Sequence, residues 1–153
     1  MKRWERWSFN VAALAVAATG FAYFWMKYLI QNDDPFAVLN HPWEATMLNF
    51  HLLASPPFIL IFGIILNSHI IRKLGAARMP NRKTGLASLA TFAVMIVSGY
   101  LLQVAVSEGW TQALVILHLT SGAVFALTYV AHLVISVRLT RGRRPLSTVR
   151  EVA

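Results

Sequence analysis

Four long apolar stretches dominate this chain, and each is long enough to cross the hydrocarbon core of a bilayer as a helix. We expect helices at about residues 7–28, 44–72, 84–106 and 110–138. Apolar residues make up 57% of the 153 residues and charged residues only 13%, so little chain is left for a soluble domain. The sequence therefore predicts an all-α, integral membrane four-helix bundle, with residues 1–153 forming a single transmembrane domain.

Turn residues separate the four stretches. The first connector contains Asn32–Pro35 and His41–Pro42, and the second is a basic loop with Gly75 and Pro80. The third connector is a short turn at residues 107–109, so helices three and four should be antiparallel neighbours. Pro56 and Pro57 lack backbone donors inside the second stretch and predict a kink or distorted turn there.

The charged residues predict the orientation of the helices. All of the 14 Lys and Arg residues except Lys27 fall near the same ends of the helices, which the positive-inside rule assigns to the cytoplasm. Both termini are then cytoplasmic and the helices run up-down-up-down across a bacterial inner membrane. The opposite face is acidic, with Asp33, Asp34, Glu44 and Glu108. The net charge of +8 is explained by this placement in a membrane lipid environment, without a nucleic acid partner.

Four histidines lie inside the apolar stretches, where an ionisable side chain is costly and suggests a functional site. His51 and His69 lie in the second stretch, and His118 and His132 in the fourth, which runs in the same direction. Eighteen residues separate the first two, which is five helical turns and about 27 Å; fourteen separate the others, about 21 Å. Each helix should therefore present two histidines on one side.

This spacing predicts that His51 faces His118 near the outer surface and that His69 faces His132 near the inner surface. Such pairs suit two haem b groups, each bound by two imidazoles, because neutral imidazole is a good axial ligand for iron. The two spacings differ by about 6 Å of helix rise, which a distortion or a tilt of helix two must absorb. The alternative interpretation of a single intramembrane histidine is a hydrogen-bonded packing residue.

Glycines lie at the depth of the outer histidine pair. Gly20 and Gly99 are seven or eight residues from the outer ends of helices one and three, and Gly122 lies one turn below His118. A porphyrin between helices requires positions without side chains, so we expect these glycines to contact the cofactor. The alternative is that they only allow close packing between membrane helices.

The last seventy residues contain a helix-turn-helix with a recognisable set of positions: Ser98–Leu102, Trp110, His118, Gly122, Tyr129 and His132–Leu133. In these positions the chain resembles the membrane-anchored b-type cytochromes. The resemblance is to the dihaem cytochrome b subunits of formate dehydrogenases and nickel–iron hydrogenases. It covers helix two through its histidines and hardly extends to helix one. It implies that two histidines from each of two helices bind stacked haem b groups that carry electrons across the membrane.

Other residues have expected roles around the haem groups. Arg72 and Arg138 lie near the inner histidines, where they could snorkel to the interface or pair with haem propionates. Glu44 precedes His51 by two turns and could accept a proton from quinol, or could cap helix two together with Asn40. The order Pro42-Trp43-Glu44 is only weakly similar to the Pro-Glu-Trp-Tyr motif of quinol-oxidising cytochrome b.

The expected function is electron transfer between the quinone pool and a protein redox partner. The chain has no segment for a catalytic domain of its own, so it should be a subunit of a larger oxidoreductase complex. The acidic face would dock a periplasmic cytochrome or iron–sulfur protein. With no cysteine, the chain itself cannot hold an iron–sulfur cluster. The alternatives are a divalent-metal transporter that uses the intramembrane histidines and a cofactor-free membrane anchor or assembly subunit.

Overall fold

A computed structural model describes residues 2–34, 36–71 and 82–141, and in these residues every regular element is helical. The helices are α1 (Arg3–Phe24), α2 (Glu44–Ile65), α3 (Arg82–Leu102) and α4 (Glu108–Arg141). Short π-helical segments extend two of them, Trp25–Leu29 after α1 and Leu66–Ile71 after α2. All four helices are long and apolar enough to span a membrane, as predicted.

The chain divides into two compact units, Met1–Ala77 and Arg78–Ala153. Within the described residues, the first unit contains α1 packed against α2, here called the first helix pair. The second contains α3 packed against α4, the second helix pair, in which the predicted antiparallel neighbours are confirmed. The basic loop with Gly75 and Pro80, and the predicted site residue Arg72, lie outside the described residues.

Aromatic rings form the core of each helix pair. In the first pair, Phe9 and Phe58 are buried, and their ring centroids lie 5.1 Å apart. In the second pair, Phe92 and Phe125 are buried with centroids 5.2 Å apart. Large apolar side chains such as Leu14 and Leu127 remain exposed, as is common in helices that span a membrane.

Several boundaries differ from the sequence-based prediction: α1 begins at Arg3 rather than near residue 7, and α4 ends at Arg141 rather than near residue 138. α3 ends at Leu102 rather than near residue 106, because the backbone turns there. The Gln103 N–H donates to the Tyr100 carbonyl at 3.2 Å, and the Val104 N–H donates to the Leu101 carbonyl at 3.1 Å. The turn therefore precedes Glu108, which is the first residue of α4. The Ser107 carbonyl accepts both the backbone N–H and the hydroxyl of Thr111, and so stabilises the start of α4.

The distortion predicted at Pro56 and Pro57 does not interrupt α2, which continues as an α-helix through both residues. The departure from α-helical geometry lies further along, in the π-helical segment Leu66–Ile71. A π turn closes its hydrogen bonds over five residues instead of four, so it changes the angular position of the residues that follow. His69 lies in this segment, and its side chain is outside the described residues.

Candidate histidine sites

His51 of α2 lies against a glycine of α1. A Cβ atom built on Gly20 would be only 2.8 Å from Cε1 and 2.9 Å from Nδ1 of the ring, so no other residue would fit without movement. The His51 Nδ1 lies 3.0 Å from the Val16 carbonyl and 3.5 Å from the Thr19 hydroxyl. We call Val16, Thr19 and Gly20 the His51 seat.

His118 of α4 has the same arrangement on α3. A Cβ on Gly99 would be 2.8 Å from Cε1 of the ring, and Nδ1 lies 3.0 Å from the Met95 carbonyl and 3.3 Å from the Ser98 hydroxyl. Met95, Ser98 and Gly99 form the His118 seat. In both seats the hydroxyl residue also donates to carbonyls three and four residues before it, which holds its side chain in place.

The geometry of a helix explains why glycine is required. The Cα–Cβ bond tilts toward the helix N-terminus, so a side chain at position 20 would cover the carbonyl of residue 16, one turn earlier. Gly20 leaves that carbonyl accessible to an imidazole from the neighbouring helix. Gly99 does the same for the Met95 carbonyl.

The hydrogen bond also fixes where the histidine proton is. A carbonyl oxygen only accepts hydrogen bonds, so the Nδ1 atoms of His51 and His118 must carry the proton and donate it. In the neutral imidazole, Nε2 then has the lone pair. This is the form in which histidine binds a metal through Nε2 while a backbone carbonyl holds the other nitrogen.

A third histidine contacts a glycine in the second helix pair. His132 of α4 lies against Gly85 of α3, where a Cβ would be 3.3 Å from Cε1, and its Nδ1 lies 3.2 Å from the Thr84 hydroxyl. Thr84 and Gly85 form the His132 seat. The sequence reasoning did not select these two residues, although the spacing of fourteen residues between Gly85 and Gly99 matches that between the two histidines of α4.

Gly20 and Gly99 were expected to contact a porphyrin; the contact that the structure describes is with a histidine ring. Gly122 faces the Met95 side chain, whose sulfur would be 3.6 Å from an added Cβ. A cofactor contact by any of these glycines stays a prediction.

Arg138, the predicted partner of a haem propionate, is exposed on α4, and its pairing also stays a prediction.

Glu44 belongs to a polar cluster at one end of the first helix pair. Its side chain is 8% exposed, and its carboxylate lies 3.9 Å from the Lys27 ammonium group and accepts the Asn40 N–H at 3.3 Å. The Asn40 side chain donates to the Lys27 carbonyl at 2.8 Å. The N-cap of α2 is Trp43, without a side-chain hydrogen bond, so the predicted capping of helix two by Asn40 is wrong.

Among the described residues, no three His, Cys, Asp or Glu side chains come together in a way that could hold a metal ion. His51, His118 and His132 lie singly, each against a glycine of the neighbouring helix.

Replacing either seat glycine by alanine should destabilise the helix pair. In Gly20→Ala and Gly99→Ala, the new methyl group overlaps the histidine ring, and we expect a loss of about 1–3 kcal/mol in unfolding free energy. Gly63→Ala is the matched control, because nothing lies within 4 Å of a Cβ at that position of α2. Unfolding in detergent, followed by circular dichroism, measures the difference. Equal effects at all three positions would contradict the seat geometry.

No protein-family model, curated protein or solved structure matches this chain. The function proposed below therefore rests on the residues of the chain and on the three histidine seats.

Proposed function

We propose that the chain is a small dihaem cytochrome b, a membrane subunit that carries electrons between a quinone pool and a protein redox partner. The observation that carries this proposal is the position of the Nδ1 atoms of His51 and His118, each 3.0 Å from a backbone carbonyl of the neighbouring helix. Both histidines donate from Nδ1 to a backbone carbonyl, and both have the Nε2 lone pair that haem iron binds. The two are held in the same way although they lie in different helix pairs.

The proposed ligands follow the sequence spacing. His51 and His118 bind one haem b, and His69 and His132 bind the other. In each of the three described histidines, the contact with the seat is made by Nδ1. In His51 and His118 this atom lies next to the carbonyls of Val16 and Met95, and in His132 it lies next to the Thr84 hydroxyl. When bound, haem supplies one-electron redox chemistry, and the protein contributes the ligands, their orientation and an apolar environment that excludes water.

The seats have a clear advantage for an electron carrier. The neighbouring helix restricts rotation of the His51 and His118 rings, so each ring would keep one orientation toward a bound haem. The hydrogen bond to the carbonyl also increases the basicity of the coordinating nitrogen. Removal of such an outer contact typically costs 10–100-fold in metal affinity or activity.

Glu44 is the proposed proton acceptor for quinol. Its carboxylate is buried at the end of the first helix pair and is held by Lys27 and by the Asn40 N–H. A positioned carboxylate next to the quinol hydroxyl can take up the proton that is released on oxidation. We place the protein in the bacterial inner membrane, with both termini in the cytoplasm, because the basic residues concentrate at those ends of the helices.

Haem content tests the proposal. We expect about two haem b groups per purified chain, with a b-type spectrum on reduction, and about one in His118→Leu, because that variant lacks one axial ligand. His41→Leu is the matched control: His41 lies in the connector before α2, where its Nδ1 accepts the Trp43 N–H at 3.1 Å. A chain purified without haem would contradict the proposal, as would equal haem loss in both variants.

The acidic residues should control the reaction with the redox partner. The triple variant Asp33→Asn, Asp34→Asn, Glu108→Gln removes only charge. It retains the side-chain oxygens that accept the Phe36 N–H and the Gln112 amide. We expect about a tenfold slower electron transfer at low salt and a weaker dependence on ionic strength. Neutralising the exposed residues Arg82 and Lys83 is the control. An unchanged rate and salt dependence in the triple variant would exclude electrostatic docking on this face.

A further inference from the structure

The first connector, residues 30–43, exposes large apolar side chains near its middle. Phe36 is 90% exposed and Val38 is 97% exposed. Both lie between the segments that can span a membrane, because one span ends at Leu29 and the next begins at Glu44. Two such side chains next to each other indicate a surface that an apolar partner covers.

Hydrogen bonds fold the middle of this connector into a closed turn. The Phe36 N–H donates to the Asp34 carboxylate at 2.9 Å, and the Ala37 N–H donates to the Asp34 carbonyl at 3.0 Å. The Asn32 side chain donates to the Leu39 carbonyl at 3.1 Å and closes the loop. The connector is therefore a compact turn with its apolar side chains exposed.

The connector is also joined to the ends of both spans in the first helix pair. The Asn40 side chain donates to the Lys27 carbonyl at 2.8 Å, and its backbone N–H donates to the Glu44 carboxylate at 3.3 Å. Lys27 lies in the π-helical segment that extends α1, and Glu44 is the first residue of α2. Four residues of chain reach at most about 14 Å, so Phe36 stays close to the level of the span ends.

Aromatic side chains mark the same level as a membrane interface. Trp25 and Tyr28 lie in the π-helical segment after α1, and Trp43 immediately precedes α2. All three are exposed. Tryptophan and tyrosine concentrate at the boundary between hydrocarbon and water, because their rings are apolar at one end and polar at the other. The connector is thus attached at the depth of the lipid headgroups.

The backbone of the connector is suited to a region with little water. Local acceptors bind the N–H groups of Ile30, Asp34, Phe36, Ala37, Asn40, Trp43 and Glu44. Pro42 has no N–H group. A backbone donor without an acceptor is costly where water is scarce, so this pattern favours a place among lipid headgroups.

We propose that the first connector is a membrane-interface anchor, in which the Phe36 and Val38 side chains insert between the lipids of the adjoining leaflet. The inference goes beyond the proposed function and does not depend on bound haem. Asp33 and Asp34 are exposed and remain on the aqueous side of the headgroups, where they can still attract a soluble partner.

A soluble protein is the other candidate for this surface. Such a partner would approach from water, and the acidic residues before Phe36 would attract it. The hydrogen bonds of Asn40 favour lipid instead, because they hold the connector beside the span ends and do not let it extend into water.

Spin labelling of the full-length protein in phosphatidylcholine vesicles tests the inference. The chain has no cysteine, so Ala37→Cys provides a single nitroxide site and leaves Phe36 and Val38 in place. Collisions with oxygen, which concentrates in lipid, are compared with collisions with a water-soluble nickel chelate. We expect oxygen to dominate at residue 37 and the chelate to dominate at residue 33 in Asp33→Cys. Chelate access at residue 37 equal to that at residue 33 would overturn the inference and leave the surface to a soluble partner.

Removal of the two apolar side chains tests whether they hold the connector in the lipid. When Phe36→Ser and Val38→Ser are added to Ala37→Cys, we expect the ratio of oxygen to chelate collisions to fall severalfold. The matched control adds Val104→Ser and Val106→Ser, which remove two exposed apolar side chains of the third connector and should leave the ratio unchanged.

An equal fall in the two combinations, or no fall in either, would contradict the proposed anchor. If the serine variant does not insert into vesicles, the comparison of residues 37 and 33 in the otherwise unchanged chain decides.

Discussion

The hydrogen bond from a histidine Nδ1 to a backbone carbonyl of the neighbouring helix is the interaction on which the histidine sites depend. It joins α2 to α1 through His51 and Val16, and α4 to α3 through His118 and Met95, at 3.0 Å in both cases. In an apolar environment a buried imidazole without a partner would be costly. The bond satisfies one nitrogen, orients the ring and determines which nitrogen has the lone pair.

Each of these contacts requires a glycine, which is an unfavourable residue inside a helix. Glycine is about 1 kcal/mol less favourable than alanine inside a helix, yet Gly20 and Gly99 lie within apolar helices, in the last turns of α1 and α3. The loss is offset because the ring approaches a carbonyl that any side chain would cover. Thr19 and Ser98 precede the glycines, and their hydroxyls donate to the preceding turn of their own helix. A short segment of a helix thereby becomes a rigid support for one imidazole.

Length and hydropathy predicted the four helices, since a stretch of about 20 apolar residues is sufficient evidence for a spanning helix. Depth counting also placed Gly20 near His51 and Gly99 near His118, although it assigned the glycines to a porphyrin instead of the ring. Thr84 and Gly85 were missed, because a glycine near a helix end normally indicates a boundary. The π-helical segment Leu66–Ile71 could not be predicted, because its hydrogen bonds have no simple sequence pattern.

The most direct test of this account is the tautomer of each histidine, measured by nitrogen NMR on the chain without haem at mildly alkaline pH. Because His51 and His118 donate from Nδ1, both should be protonated at Nδ1. His41 accepts the Trp43 N–H at Nδ1, so it should be protonated at Nε2 and provides the opposite signal in the same sample. Protonation of His51 and His118 at Nε2 would contradict the account, because neither could then donate to its carbonyl or bind iron through that nitrogen.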